Sequence, residues 1–299
     1  MKGRRQGEDA LVARLRKLLP PVGPGVIEGI GDDCAAVRGV RAGLIELLKT
    51  DCVVEGRHFS PRDAASEVGW KAVCRAVSDT AASGGEPRHA LVTCVLRRGC
   101  EGRWLEGLYR GIARAARRYG FTVVGGELAA TDGPNVINVA MTGEVRRREH
   151  VTRRGGRPGD VLLVTGALGG SFASGRHLRF APRLAEARWL VERHRPHAMM
   201  DVSDGLAADV PRLAAASGCG YEIDAASVPR SRGATVEQAL TEGEDFELLL
   251  AVAPRAVAKL RAEWRKKFPR LQLTVIGCLA DCGVARGLGT RRGYDHFTR

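Results

Sequence analysis

Residues 29–37 read Gly-Ile-Gly-Asp-Asp-Cys-Ala-Ala-Val. Asp32 and Asp33 stand behind a glycine turn and directly before a short apolar run. Glycines let the backbone turn tightly or lie against a ligand. The apolar run reads as a strand, so the two acids are held at a strand end and not on a mobile tail. Three more acidic junctions follow: Lys49-Thr50-Asp51, Val77-Ser78-Asp79 and Asp201-Val202-Ser203-Asp204-Gly205. Each sits where an apolar element meets small or polar residues. One such junction is ordinary, whereas four in one chain point to a fold that gathers acids around a shared cation site.

A chain of 299 residues with 44% hydrophobic content buries a large core in one or two domains. No apolar run reaches the length that spans a bilayer. The stretch from Leu11 to Leu19 is broken by Arg14, Arg16 and Lys17, so no signal-peptide core is expected and the cytoplasm is the expected compartment. Eight cysteines lack any CxxC pair, which argues against a zinc site or a disulfide framework. The net charge of +13 raises the question of nucleic acid. The 40 arginines and 7 lysines are spread through the chain, and aromatics make up only 5%. With no zinc-finger or RNP-type pattern, the charge reads as a solvated surface that attracts phosphorylated small molecules. Neither a nucleic-acid nor a membrane partner is expected.

In chain order, helical spacing over 8–19 is stopped by Pro20, Pro21 and Pro24. A strand over 44–48 ends at Thr50-Asp51, and a helix over 63–82 carries Trp70, Val73 and Val77 on one side. A strand at 90–96, an amphipathic helix at 103–119, a short strand at 121–124 running into Gly125-Gly126-Glu127, and a strand at 136–145 follow. The basic, glycine-rich stretch 146–159 is the expected boundary, dividing the chain into 1–148 and 149–299. The second half restarts with a strand at 161–165, a glycine loop at 166–170 and a helix over 182–194. Strand 199–202, a helix to about 217, strands 221–224 and 246–252, helix 254–267 and strand 271–276 complete it. Both halves mix helices and strands, so the expected class is two α/β (or α+β) domains.

Magnesium takes hard oxygen ligands in near-octahedral geometry. Asp33, Asp51, Asp79, Glu127, Asp201 and Asp204 are carboxylates on several elements and suit it. Packed together they would repel one another, and divalent cations with a nucleotide triphosphate between them resolve that conflict. Any one of them alone also fits an N-cap or turn role, Asp204 above all because a helix starts there. The segment Gly170-Ser171-Phe172-Ala173-Ser174-Gly175-Arg176-His177 has the glycine spacing of a phosphate-binding loop. It puts Arg176 and His177 where lysine and a hydroxyl are needed, and is rejected. His58 lies close in sequence to Asp51, and Arg153 offers a phosphate contact; each also suits an ordinary surface role.

Together the motifs GIGDDCA, TDCVVEGRHF, VSDTAASGG, VVGGE, TRRGGRPGD, DVSDGLAAD, GEDFELL and GYDHF run in order from residue 29 to 297. In that combination the sequence resembles the thiamine-monophosphate kinase family of the aminoimidazole ribonucleotide synthetase superfamily. The resemblance implies a two-domain α/β protomer, an N-terminal mixed sheet used for homodimerisation, and an α/β C-terminal half. It implies Mg-assisted transfer of the ATP γ-phosphate to thiamine phosphate, with no covalent catalytic residue. It matches Asp33, Thr50, Asp51, Asp79, Glu127, Asp201 and Asp204 to magnesium positions. Gly126, Glu127, Arg153 and Ser203 match nucleotide contacts, and His58 and Glu244 match substrate contacts.

The sequence departs from the family pattern at five positions. Glu127 replaces an aspartate, Ala76 an asparagine, Lys49 a small hydroxyl residue and Glu242 a glycine, while Arg291 stands where an aromatic can pack on the substrate. The Lys49 ammonium is expected to take over the charge of one Mg²⁺. Two other readings are carried alongside: a different ATP-dependent enzyme of the superfamily, and a non-catalytic nucleotide-binding protein. A selenophosphate synthetase would be expected to show a reactive cysteine before Gly29, and a hydrogenase maturation protein a terminal cysteine where Thr298-Arg299 stands.

Overall fold

A computed structural model describes residues 7–21 and 23–297. Helix α1 (Glu8–Arg16) precedes three strands, β1 (Val26–Glu28), β2 (Ala35–Arg38) and β3 (Leu44–Val54). Helix α2 (Ala65–Ala82), strand β4 (Glu86–Arg97), helix α3 (Gly102–Tyr119) and strands β5 (Thr122–Thr131) and β6 (Val136–Arg146) complete the first half. The second half runs β7 (Val161–Thr165), α4 (Arg176–Arg179), α5 (Leu184–Arg193), β8 (Ala198–Val202), α6 (Leu206–Ala216), β9 (Gly220–Ile223) and α7 (Val236–Thr241). It ends with β10 (Glu247–Val252), α8 (Pro254–Lys267), β11 (Leu273–Ala280) and β12 (Ala285–Arg286).

The first sheet has the order β1-β2-β3-β6-β4-β5 and the second β12-β9-β11-β7-β10-β8. Both are mixed, as the class expected from the sequence requires: β4 and β5 pair in parallel across α3, and their neighbours are antiparallel. Helices α2 and α3 cover one face of the first sheet, with Val73, Val77, Leu108 and Ile112 packed on Val92, Ile137 and Val139. The second sheet is covered on both faces. Leu163, Met199 and Leu250 meet α5 and α8 on one side. Leu162, Met200 and Leu249 meet α6 and α7 on the other. That double cover explains why β8 and β10 are apolar and buried along almost their whole length.

Two strands that carry matched site residues run past the ends that the sequence predicts. β3 continues through Thr50-Asp51 because β6 pairs with it residue by residue, from Leu44↔Arg146 to Val54↔Val136. β5 continues through Gly125-Gly126-Glu127 because β4 supplies a ladder from His89↔Thr122 to Arg97↔Thr131. Acids read as strand-end groups therefore sit in mid-strand at Asp51 and Glu127. The short elements β1, α4, α7 and β12 lack a periodic signal, although α7 begins with a Thr235–Gln238 capping box that is visible in the sequence.

α2 and α3 touch backbone to backbone. A Cβ on Gly69 would lie 2.0 Å from Leu108 O, and one on Gly111 would lie 1.9 Å from Ser66 O. α3 then stops at Gly120, whose φ of 74° takes the left-handed helix cap. This close crossing seats α2 deep between the halves, where it also contacts α4, α5 and β8. Gly111→Ala is expected to lower unfolding free energy by about 1–3 kcal/mol, measured by urea denaturation, because a methyl group forces the helices apart. An unchanged midpoint would contradict the close crossing.

Candidate active site

α2 carries Lys71, Arg75, Ser78 and Asp79 at positions i, i+4, i+7 and i+8, which share one face of a helix. That face meets β3 and the second half. Asp79 approaches Asp33 from the loop before β2 and Asp201 from β8. One oxygen of each lies within 4.8 Å of one from the others, and all three residues are buried. Ser78 Oγ donates to Asp201 Oδ2 at 2.6 Å, so the acid of the second half is anchored by α2. Strand alternation puts Lys49 and Asp51 on the helix side of β3. The Lys49 ammonium lies 3.0 Å from Asp79 and 3.9 Å from Asp51. Arg75 binds Asp51 at 3.3 Å and Glu244 at 2.8 Å. Arg153 donates from its guanidinium to Asp33 Oδ1 at 2.5 Å and from its backbone to Asp32 Oδ2 at 3.0 Å.

Burial dominates the electrostatics of these groups. It pushes Asp201 up to about 7, with the nearby Asp33 charge adding to the effect. It pushes Asp79 well above the usual carboxylate range; Lys49 opposes this, while Asp201, Asp51 and Asp33 reinforce it. For Asp51 burial acts in the same direction, but Arg75 and Lys49 outweigh it and hold the carboxyl at about 2. Burial would strip the proton from Lys49, yet Asp79 and Asp51 more than offset it and keep the ammonium charged. Burial and buried like charges raise carboxyl pKa values in this way wherever the neighbouring cations do not outweigh them.

A pocket beside the acids is lined by Arg57, His58, Phe172, Glu244, Tyr294 and His296, among others. Glu244 and Phe246 have φ of 66° and 52°, left-handed values that ordinary side chains rarely adopt. The strained turn aims Glu244 back at α2, where it meets Lys71 and Arg75. Lys71 is fully buried and also donates to His58 O at 2.6 Å. His58 Nδ1 accepts the Val54 N–H at 3.1 Å, which leaves the proton on Nε2. Burial, then Arg75 and Lys71, lower its pKa to about 3, so the imidazole is neutral. The chain's tail crosses this pocket, with Tyr294 N donating to Asp204 O at 2.8 Å and the His296 ring 5.3 Å from His58.

The structure thus joins Asp33, Asp51, Asp79, Asp201 and Arg153, through Arg75, to the pocket of His58, Ser203 and Glu244, and it leaves four matched residues outside the acid cluster. The Thr50 side chain lies on the opposite face of β3, bonded to Asn138 at 3.2 Å. The Asp204 carboxylate is taken by Arg212. Gly126 and Glu127 lie on exposed β5, separated from β3 by β4 and β6. A Cβ at Gly126 would sit 1.8 Å from Val92 O, so its glycine is required by the ladder itself. Among the five departures, Glu242 accepts from Gly170 N at 2.6 Å and Arg291 binds Glu237 at 2.7 Å. Ala76 is fully buried in the α2 core.

Sequence reasoning missed Lys71, Arg75 and Ser78, although their spacing with Asp79 was available. It also missed Asp209, whose Oδ2 accepts the backbone N–H groups of Ser203 and Asp204 at 3.1 and 3.0 Å and so fixes the loop after β8. The acid cluster fits a hard divalent ion on two counts. Its donors are all carboxylate oxygens, and the buried Asp33 Oδ2 has no hydrogen-bond partner.

Comparison with known proteins identifies the family of the chain. Residues 31–145 match the family described as AIR synthase related protein, N-terminal domain, and residues 157–283 match its C-terminal domain. The chain is 37% identical over 259 residues to the thiamine-monophosphate kinase of Rhodopirellula baltica, covering 81% of each. It is 34% identical to that of Aquifex aeolicus, covering 99% of this chain and 100% of the relative. The solved structure of AaThiL complexed with AMPPCP and TMP superposes with a TM-score of 0.83 at 31% identity, covering 99% of this chain and 100% of that one.

Lys71 gives the site a measurable signature. Burial lowers its pKa from the ordinary 10.5 to about 8, against the attraction of Glu244. Between those values the unfolded chain holds the proton and the folded chain does not, so this group makes stability rise with pH from about 8 to 10.5. Lys71→Met removes the contribution. The difference in unfolding free energy, wild type minus variant, is expected to grow by about 3 kcal/mol over that interval. A flat difference in pH-dependent denaturation would contradict the buried ammonium.

Proposed function

The chain belongs to the AIR synthase related family and, within it, to the thiamine-monophosphate kinases, and from that premise we propose that it transfers the γ-phosphate of ATP to the phosphate of thiamine phosphate, giving thiamine diphosphate and ADP. One observation carries this reading at the level of residues. Three buried carboxylates from a loop, a helix and a strand of different halves converge within 4.8 Å. Asp33, Asp79 and Asp201 would hold Mg²⁺, which when bound supplies charge neutralisation to a phosphate chain.

The remaining roles belong to the chain's own groups. The acceptor phosphate is itself an ionised nucleophile, so no strong general base is needed; alignment of two anions is the task. Arg153 and Ser203 line the approach to the acids and serve the nucleotide. His58, neutral and protonated on Nε2, donates to the acceptor substrate without exchanging a proton. Glu244, held by Lys71 and Arg75, orients the acceptor from the other wall. Residues 1–148 contribute Asp33, Asp79 and His58, and 149–299 contribute Arg153, Asp201, Ser203 and Glu244, so each half supplies groups to both ends of the site.

Dimerisation through the first sheet is part of the proposal. The sheet face turned away from α2 and α3 exposes Leu48 and Leu91, and the edge strand β5 exposes Val124 and Leu128. An apolar patch of this kind on an edge strand calls for a partner. Gly126 and Glu127 then act where the second copy covers β5. Action in the cytoplasm is supported by eight cysteines that are all free among the described residues. No helix among them is long and apolar enough to cross a membrane.

Two measurements test the proposal. Purified chain with ATP, Mg²⁺ and thiamine phosphate is expected to form thiamine diphosphate, read by chromatography. Asp33→Asn, Asp79→Asn and Asp201→Asn are each expected to slow it about 100-fold or more. No product with any divalent ion would overturn the kinase reading. Light scattering is expected to give twice the chain mass, and Leu128→Arg is expected to return the monomer.

A further inference from the structure

Asp79 faces two environments. On one side are Asp33 and Asp201, and there Asp33 Oδ2 is buried without a partner. On the other side are Asp51 and Lys49, and there both Asp51 oxygens and Asp79 Oδ2 are already met by a cation. Asp51 Oδ1 faces Arg75 at 3.3 Å and its Oδ2 faces Lys49 at 3.9 Å. Asp79 Oδ2 faces the same ammonium at 3.0 Å. A divalent ion seated between Asp51 and Asp79 would have to take the space and the oxygens that Lys49 now holds.

Lys49 is not placed there by a mobile segment. It lies in the middle of β3, an 11-residue strand paired along its whole length with β6, and its own ladder partner is Met141. Its neighbour Leu48 pairs with Ala35 on the other side. The backbone under the ammonium is thus fixed from both flanks, and the side chain is only 21% exposed. A compact ammonium with three donors suits two carboxylates that approach from adjacent elements.

We infer that Lys49 is a resident counter-ion standing in the place of a second divalent cation between Asp51 and Asp79, so that the chain gathers one ion fewer than its acids would otherwise hold. The inference rests on the proposed role of the acids as Mg²⁺ ligands. It adds that the two sides of Asp79 do different work. On the Asp33–Asp201 side Arg153 takes Asp33 Oδ1 but leaves the buried Asp33 Oδ2 free for an exchangeable ion, whereas the space between Asp51 and Asp79 is filled by the chain's own ammonium. The ammonium supplies one positive charge where a metal would supply two, and it donates hydrogen bonds but offers no open coordination position to a phosphate oxygen.

The test counts ions and does not depend on turnover. The chain is saturated with a non-hydrolysable ATP analogue, and bound Mn²⁺ is titrated by electron paramagnetic resonance. Lys49→Ser is expected to bind one more Mn²⁺ per chain than the wild type, and Lys49→Arg the wild-type number. Equal, non-zero counts in wild type and Lys49→Ser would overturn the assignment of Lys49 and leave the metal-binding role of the acids intact. No bound Mn²⁺ in either would overturn both. Should the variants not fold, amine acylation of the wild type read by mass spectrometry decides. The labelling rate at Lys49 is expected not to rise on loading with Mn²⁺ and analogue, and a rise would show the ammonium expelled and overturn the inference.

Discussion

Withdrawing Asp33, Asp51, Asp79 and Asp201 from water around a single helix sets the terms for the rest of this molecule. An isolated buried carboxylate is costly, and several together are costlier because each raises the local negative potential. The chain offsets part of that cost with three fixed cations, each on a different element: Lys49 on β3, Arg75 on α2 and Arg153 in the connection between halves. Asp201 receives only a serine hydroxyl. The uneven compensation is informative. Asp51, with two cations beside it, has a low carboxyl pKa; Asp201, with none in contact, has a high one, and at Asp79 burial and three neighbouring acids outweigh the single Lys49 ammonium. The uncompensated pole is where an added cation gains most.

The arrangement depends on α2 being thin enough to lie between two sheets. Its sequence is rich in alanine and small residues, and Gly69 with Gly111 of α3 lets the two helix backbones touch. Its apolar side seals the first core. Its polar side presents Lys71, Arg75, Ser78 and Asp79 to the second half. Those four side chains bind Glu244, Asp51, Asp201 and Lys49 respectively or jointly, so relative placement of the halves and geometry of the site are one problem. Removing one partner of a buried ion pair leaves the other charged and stranded, which is why such a network fixes an interface more firmly than its net contribution to stability suggests.

Much of this was legible in the sequence because acids beside small residues at apolar junctions are a local signal. Asp33, Asp79 and Asp201 were each visible in that way. What escaped was nonlocal. β3 passes through Asp51 because β6 offers it a partner of equal length, and no property of residues 44–51 reveals that. Lys71 and Arg75 of α2 carry no local signal that separates them from surface cations; the second half, packed against that face, makes them buried partners. The left-handed turn at Glu244 and Phe246 gives no signal at all, since neither residue is glycine or asparagine. Glu127 shows a different limit: its motif resembles the others, but within one chain β4 and β6 intervene between its strand and β3.

The acceptor side of the cleft completes the electrostatic reasoning. Phosphoryl transfer between two phosphates must bring anions together, so the two ends of the site need opposite provisions. The acid cluster provides for an added cation at one end. At the other, the lining is Arg57 and His58 with Glu244 neutralised by Lys71 and Arg75. His58 sits between these cations, and its imidazole is kept neutral by them and by burial. A charged imidazole there would compete with the arginines for the same phosphate and would lose its bond from Val54 N–H. Neutral, it keeps a single donor at Nε2 in a fixed direction. Burial first, and then the same cations that make the pocket attractive to an anion, hold the histidine neutral, which under the proposed function fits it for positioning and not for proton exchange.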